Sequence, residues 1–109
     1  MITCFIRYEI DPFKKDAFAH YARQWGQAIP RCGADLIGYF APHEGSTTTA
    51  YGVYTLSSLA AYEAYKARLA EDPIGRENYA FARREQFLRR EDRLFLKLAS
   101  GPHAPLVRP

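Results

Sequence analysis

Residues 2 to 10 alternate in character. Ile2, Cys4, Ile6, Tyr8 and Ile10 fall on one parity, and Thr3, Phe5, Arg7 and Glu9 on the other. A period of two predicts a strand with one apolar face and one mixed face. The period then changes: Phe18, Tyr21, Ala22, Trp25, Ala28 and Ile29 share one stripe of a helical wheel, away from Asp16, His20, Arg23 and Gln24. Asp11-Pro12 reads as an N-cap followed by proline at the first helical position, where no N–H is needed. The helix is predicted to run to about Arg31, with Pro30 in its last turn and Gly33 as its stop.

Asp35 to Ala41 is apolar on both parities, as in a strand covered on both faces. A short turn at Pro42 to Ser46 leads to a third strand over Thr48–Leu56, which makes the pair an antiparallel hairpin. Ser57 and Ser58 are candidate caps for a second helix ending near Asp72-Pro73, with Leu59, Tyr62, Tyr65, the Lys66 stem and Leu69 on its buried stripe. A third helix is predicted from about Arg76 to Asp92, and a last strand over Arg93–Ala99 with Leu94, Leu96 and Leu98 on one face. The order β-α-β-β-α-(α)-β predicts the α+β, ferredoxin-like split βαβ fold: a four-stranded antiparallel sheet with helices on one face. Residues 1–99 form the domain, and 100–109, with three prolines, an extended tail.

Helices on one face leave the other face of the sheet open. Here that face is not fully polar, because the second strand is apolar on both parities. A second copy is therefore expected to cover it, giving a homodimer. At 109 residues there is room for one domain, and 48% hydrophobic residues argue against disorder. No run approaches the ~20 apolar residues of a membrane span, and the strand-like start is not that of a secretory signal. Cys4 and Cys32 match neither a metal pattern nor a disulfide framework, so a reducing cytoplasm is expected. A net charge of +3 is too mild to call for nucleic acid. The outlying number is the aromatic share, 15%, with 8 Tyr and 7 Phe. A small core does not need them all, so the surplus asks for a pocket or a second buried surface.

Several segments together resemble the NIPSNAP family of the dimeric α/β-barrel superfamily. They are Tyr8-Glu9-Ile10 followed by Asp11-Pro12-Phe13-Lys14, Leu36-Ile37-Gly38-Tyr39-Phe40, the turn at Gly45, Tyr51-Gly52-Val53-Tyr54, and Ser57 to Tyr65 continued by Arg68 to Pro73. The resemblance spans Ile2 to Ala99. It implies a homodimer of ferredoxin-like subunits whose sheets face each other as a barrel, and it implies no common chemistry. Related barrel families include monooxygenases that need no cofactor and enzymes that degrade haem. The haem-degrading pattern needs an Asn on the first strand, whereas the one Asn here is Asn78 and Trp25 lies on the first helix.

The candidate ligand-binding residues follow from these readings. Phe5, Trp25, Tyr39 and Tyr54 are candidates to line an amphipathic pocket for a small organic ligand, with phenols to hold a planar molecule. Arg7, mid-strand, is either a rim residue or a cross-strand ion pair, or, if its face is interior, a charge that needs Glu9 or an anionic ligand as partner, and Lys97 shares the ambiguity. His43, in the turn beside Glu44, is a candidate acid or base. His20 is expected in solvent, and His103 lies in the tail. No metal spacing and no nucleophile elbow is present, and no cofactor is expected. The alternatives are a cofactor-free monooxygenase or related small-molecule enzyme, an interaction protein, and an RNA-binding module. The last rests on a faint echo of an aromatic signature in Tyr51 to Tyr54, while the basic residues Arg83, Arg89 and Arg90 are interleaved with Glu77, Glu85 and Glu91.

Overall fold

The computed structural model describes residues 1–101; the expected tail, beyond Ser100 and Gly101, and His103 lie outside the described residues. The elements are β1 (Ile2–Ile10), α1 (Lys15–Arg31), β2 (Asp35–Phe40), β3 (Thr49–Leu56), α2 (Leu59–Glu71), α3 (Pro73–Glu85) and β4 (Leu88–Leu96). The sheet is antiparallel in the order β2-β3-β1-β4, so β1 is central and β4 an edge. This is the ferredoxin-like arrangement that the element order predicts.

The alternation in β1 decides the layering. Ile2, Cys4, Ile6, Tyr8 and Ile10 are all buried beneath the helices. The predicted α1 stripe meets them, through Phe18, Tyr21, Trp25, Ala28 and Ile29. Tyr62, Tyr65 and Leu69 of α2 extend the same core, whereas Leu59 is exposed. The shortest dimension is 19 Å, about one sheet plus one helical layer.

The caps differ in detail from expectation. Asp11 accepts a hydrogen bond from the Phe13 N–H at 2.9 Å, but this closes a turn, and α1 begins at Lys15. Gly33, at φ 106°, ends the helix as predicted. Ser58 caps α2 through the Ala61 N–H. Between α2 and α3, Asp72 ends one helix and caps the next, accepting from the Gly75 N–H at 2.9 Å. Arg31 of α1 grips the same carboxylate through Nε and Nη2 at 2.7–3.0 Å, tying the α2–α3 corner to the first helix.

The third helix and last strand correct the expected boundaries. The helix ends at Glu85, not Asp92, and the strand covers Leu88–Leu96, not Arg93–Ala99. The stop is Gln86, a non-glycine residue in the left-handed region at φ 54°. Phe87, expected on the helix stripe, is instead a wholly buried plug against Phe18, Tyr21 and Phe81.

Candidate functional site

The helix-covered side of the sheet holds a cavity of about 70 Å³ that is open to solvent on one side. The four strands form its floor and the three helices its roof. Seven of the chain's eight tyrosines line it, all except Tyr51. Ile6, Ile29 and Leu69 supply apolar wall, and Trp25, Lys66, Glu91 and Arg93 supply polar atoms.

The pairing registers explain how so many phenols converge. Tyr8 of β1, Tyr54 of β3 and Tyr39 of β2 share the inner parity, since Cys4 pairs with Tyr54 and Tyr39 with Gly52, both on the inner side. A register shift between Leu36 and Gly38 keeps Tyr39 inward while Ile37 stays exposed. The hydroxyls of Tyr8 and Tyr39 share a hydrogen bond at 3.2 Å. From α1, Tyr21 and Trp25 stand edge-on to each other at 5.6 Å, and Trp25 meets Tyr79 of α3 at 5.1 Å.

Burial sets the chemistry of these groups. It pushes the Tyr8 and Tyr39 phenols well above the ordinary tyrosine range, Tyr21 up to about 12, and Tyr54 and Tyr65 upward as well. All of these phenols are therefore neutral hydroxyls in any ordinary buffer. The Trp25 indole N–H is buried beside the Tyr21 oxygen, where its approach partly offsets the rise in the Tyr21 pKa, although the contact falls short of full hydrogen-bond geometry.

On β4, Glu91 pairs with Tyr8 and Arg93 with Ile6 in the register, which turns both charged side chains to the inner side. Arg93 donates to Glu91 at 2.8 Å. Burial would lower the Arg93 pKa, but the oxygens of Tyr54 and Tyr62 and the Glu91 carboxylate outweigh it and raise it instead. Lys66 lies over the Tyr62 ring at 5.0 Å, at the more exposed side of the cavity. Taken together, the site offers phenol hydroxyls within and two ion pairs at its solvent side, Arg93 with Glu91 and Lys66 with Glu63 at 3.5 Å.

Of the residues singled out from sequence, Trp25, Tyr39 and Tyr54 meet at this cavity. Phe5 and Arg7 do not: both lie on the outer parity of β1, on the open face of the sheet. Arg7 pairs there with Glu9 at 3.0 Å, the partner considered along the strand. His43 is exposed in the β2–β3 hairpin, along a surface groove with Phe40, Glu44 and Tyr51. Lys97 is exposed just beyond the end of β4, and His20 packs its ring on Phe81 at 4.5 Å. Cys4 and Cys32 are both free and buried. Among the described residues no three potential metal ligands cluster.

Sequence reasoning missed Glu91 and Arg93 because it placed Glu91 on a helix. The signal was present: extending the parity of Leu94 and Leu96 backward sets Glu91 and Arg93 on the opposite face from them. The RNA-binding echo also divides here, since Tyr51 lies on the open face and Tyr54 on the inner one. Of the basic residues considered with it, Arg89 pairs with Asp11 and Arg90 with Asp92.

These features define a small ferredoxin-like α+β domain that carries a phenol-lined cavity between its sheet and its helices. The NIPSNAP family model matches residues 3–102, nearly the whole chain. The chain belongs to the NIPSNAP family. No curated protein matches it. Among solved structures, it is similar to an uncharacterized NIPSNAP-like domain protein from Burkholderia xenovorans, with 26% identity over 99% of this chain and 95% of that one, at a TM-score of 0.72. A NIPSNAP family protein of unknown function from Agrobacterium tumefaciens superposes with a TM-score of 0.79 at 20% identity, covering 98% and 94%. A candidate antibiotic biosynthesis monooxygenase from Nitrosomonas europaea shares the fold at 11% identity and a TM-score of 0.70, covering 92% and 100%. No described helix is long and apolar enough to cross a membrane.

Proposed function

We propose that this protein is a homodimer in which each subunit holds a small organic ligand in the tyrosine-lined cavity. The observation that carries the ligand is the convergence of seven tyrosines on one cavity between sheet and helices, where hydroxyls that both donate and accept surround space that no side chain fills. About 70 Å³ suits a compact molecule, and the half-exposed Tyr79 and Lys66 form the side that can give way to a larger one.

The dimer rests on the open face of the sheet. Phe5, Phe40, Tyr51, Leu94 and Leu96 all lie there, and no described element of the same chain covers them. Two pairs of charges among them are already matched along their own strands, Arg7 with Glu9 and Arg90 with Asp92, which lowers the cost of covering them. A contiguous apolar patch of this kind on a small domain marks an interaction surface. The two free, buried cysteines fit a reducing, cytoplasmic setting.

A second reading is a cofactor-free monooxygenase acting in the same cavity. Neutral phenols beside an apolar wall, with the Arg93 guanidinium at the rim, are suited to stabilising an anionic form of an organic substrate. The fold shared with a candidate monooxygenase is in keeping with it.

The test of ligand binding is native mass spectrometry of the protein purified from cells. A dimer mass with a small-molecule adduct per subunit, lost on denaturation, is the expected result. Bare protein that also gains no thermal stability from a panel of small planar compounds would remove the proposal. Oxygen uptake with polyphenol substrates separates the enzyme from the binding protein.

A further inference from the structure

One kind of group dominates the cavity lining, and its hydrogen-bonding habit deepens the ligand-binding reading, on which this inference rests. The ion pairs at the rim select no charge. Arg93 and Glu91 neutralise each other at 2.8 Å and are each more than a third exposed, and half-exposed Lys66 pairs with Glu63 at 3.5 Å. Inside, the polar lining is phenol: Tyr8, Tyr21, Tyr54 and Tyr65 are buried, and the Tyr8 and Tyr39 hydroxyls bond to each other at 3.2 Å. A phenol has one hydrogen to donate and lone pairs that accept. A group of phenols therefore has more acceptor than donor capacity, and its complement is another hydroxyl, which returns a hydrogen for the one it takes. A ketone or a carboxylate only accepts, and a carboxylate also brings a charge that nothing inside the cavity offsets. Burial holds the lining phenols neutral and acts in the same sense on any further phenol placed among them.

The rings favour an aromatic body. Tyr21 stands edge-on to Tyr8 and Tyr39, with centroids 6.0 and 6.4 Å apart, and Tyr54 lies 5.3 Å from Tyr65. Another ring edge can join such a set in the same manner. Size then sets the direction of entry. The cavity of about 70 Å³ has room for roughly two waters at about 30 Å³ each, and it is about half the size of a cavity that holds a whole benzene ring. A hydroxyl and the near edge of its ring fit inside, and the far edge lies at the solvent side by half-exposed Tyr79 and Lys66. We infer that the cavity binds an uncharged phenol, hydroxyl first, with that hydroxyl joining the Tyr8–Tyr39 pair and the ring reaching toward Tyr79.

The probe is 4-nitrophenol, whose phenolate is yellow, whose neutral form is not, and which titrates near neutral pH. Full-length protein is added to it at a pH where both forms are present. The yellow band should fall saturably as the neutral form is taken up, and affinity should drop about tenfold per pH unit above the titration point of the free probe. Nitrobenzene keeps the ring and the nitro group but has no hydroxyl, and by calorimetry it should bind at least tenfold more weakly. Tyr39→Phe, which removes a hydroxyl and keeps the ring, should weaken 4-nitrophenol several-fold and leave nitrobenzene unchanged. Tyr51→Phe, outside the cavity, should alter neither. A yellow band that grows shows binding of the anion and overturns the inference in favour of the anion-stabilising enzyme. Equal binding of nitrobenzene overturns the hydroxyl assignment, and undiminished 4-nitrophenol binding by folded Tyr39→Phe overturns the role of the Tyr8–Tyr39 pair. If neither probe binds while protein purified from cells carries an adduct, the phenol is overturned and the ligand cavity stands. If neither binds and no adduct is found, both fall.

Discussion

Gly52 sits in the middle of β3, opposite Tyr39, and its missing side chain is where the Tyr39 ring lies. A Cβ built there would stand 2.7 Å from Cε2 and Cζ of Tyr39 and 3.0 Å from its hydroxyl oxygen. Ordinary carbon contacts are about 3.5–4.0 Å, so in Gly52→Ala the ring must retreat by about 1 Å. It has little freedom to do so. Its hydroxyl is bonded to Tyr8 at 3.2 Å, and its ring packs with Phe18 and Tyr21 at 6.3 and 6.4 Å between centroids. Forcing a methyl group into packed core costs about 1–3 kcal/mol, and losing the phenol–phenol hydrogen bond adds about 1 kcal/mol. Against this, alanine in a strand interior is favoured over glycine by about 0.5–1 kcal/mol. The net expectation is a loss of about 2 kcal/mol. In urea this is a fall in midpoint of about 1 M, followed by Trp25 fluorescence at one fixed protein concentration, because the proposed association would contribute to the apparent stability. The deciding comparison is the double-mutant cycle with Tyr39→Ala. Once the ring is gone, Gly52→Ala should be neutral or slightly stabilising. An equal loss in both backgrounds would show that the steric argument is wrong.

Four further outcomes are expected. Burial raises the Asp72 pKa, but the hydrogen bonds from Arg31 and the Gly75 N–H outweigh it and leave it below the ordinary carboxylate value. The stability it supplies is therefore full above about pH 4, the unfolded value, and disappears as pH falls through the folded value. Thermal melts between neutral and acid pH should show a smaller acid loss in Asp72→Asn than in the parent. The phenols of Tyr8, Tyr21, Tyr39 and Tyr54 have the opposite sign: raised by burial, they stabilise fully below about pH 10, and that contribution is lost as pH climbs toward their folded values. Phenolate absorbance for these groups should therefore rise together with unfolding, and a gradual rise in still-folded protein would contradict their burial. Gln86→Gly should stabilise by up to about 1 kcal/mol by relieving a left-handed non-glycine residue, seen as a rise in melting temperature, while Gln86→Val should destabilise. Leu94→Glu, on the open sheet face, should convert a dimer to a monomer in sedimentation velocity with the far-ultraviolet spectrum unchanged.

The parts of the fold written in a clear period were legible in the sequence. The parity of β1, the α1 stripe with its glycine stop and the β2–β3 hairpin needed only local rules, and they fixed the topology. The failure at the last helix and strand has two physical causes. A helix usually announces its end with glycine in the left-handed position, and here Gln86 takes that conformation with its side-chain amide donating to the Arg83 carbonyl at 2.7 Å. The strand that follows opens with five charged residues, Arg89 to Arg93, a composition that reads as a solvated helix. In the fold it is an edge strand, and charge on an edge is a common guard against unwanted pairing. The site shared that fate: its aromatic members were visible as a surplus, but the face on which each strand residue lies depends on register, and Glu91 and Arg93 became visible only with it.

The two faces of β4 join the proposed site to the proposed dimer. Leu94 and Leu96 face outward, and between and before them Phe95, Arg93 and Glu91 face inward. As an edge strand, β4 is held by backbone hydrogen bonds to β1 alone. In an isolated subunit its outward leucines stay in water, and Phe95, stacked on Tyr62 at 4.6 Å, is what anchors the strand from within. A partner sheet laid over Leu94 and Leu96 would restrain β4 from outside and thereby hold Arg93 and Glu91 against the cavity from within. If the proposed ligand and the proposed dimer both depend on β4, the linkage is reciprocal, and the ligand strengthens the dimer by the same factor by which dimerisation strengthens ligand binding.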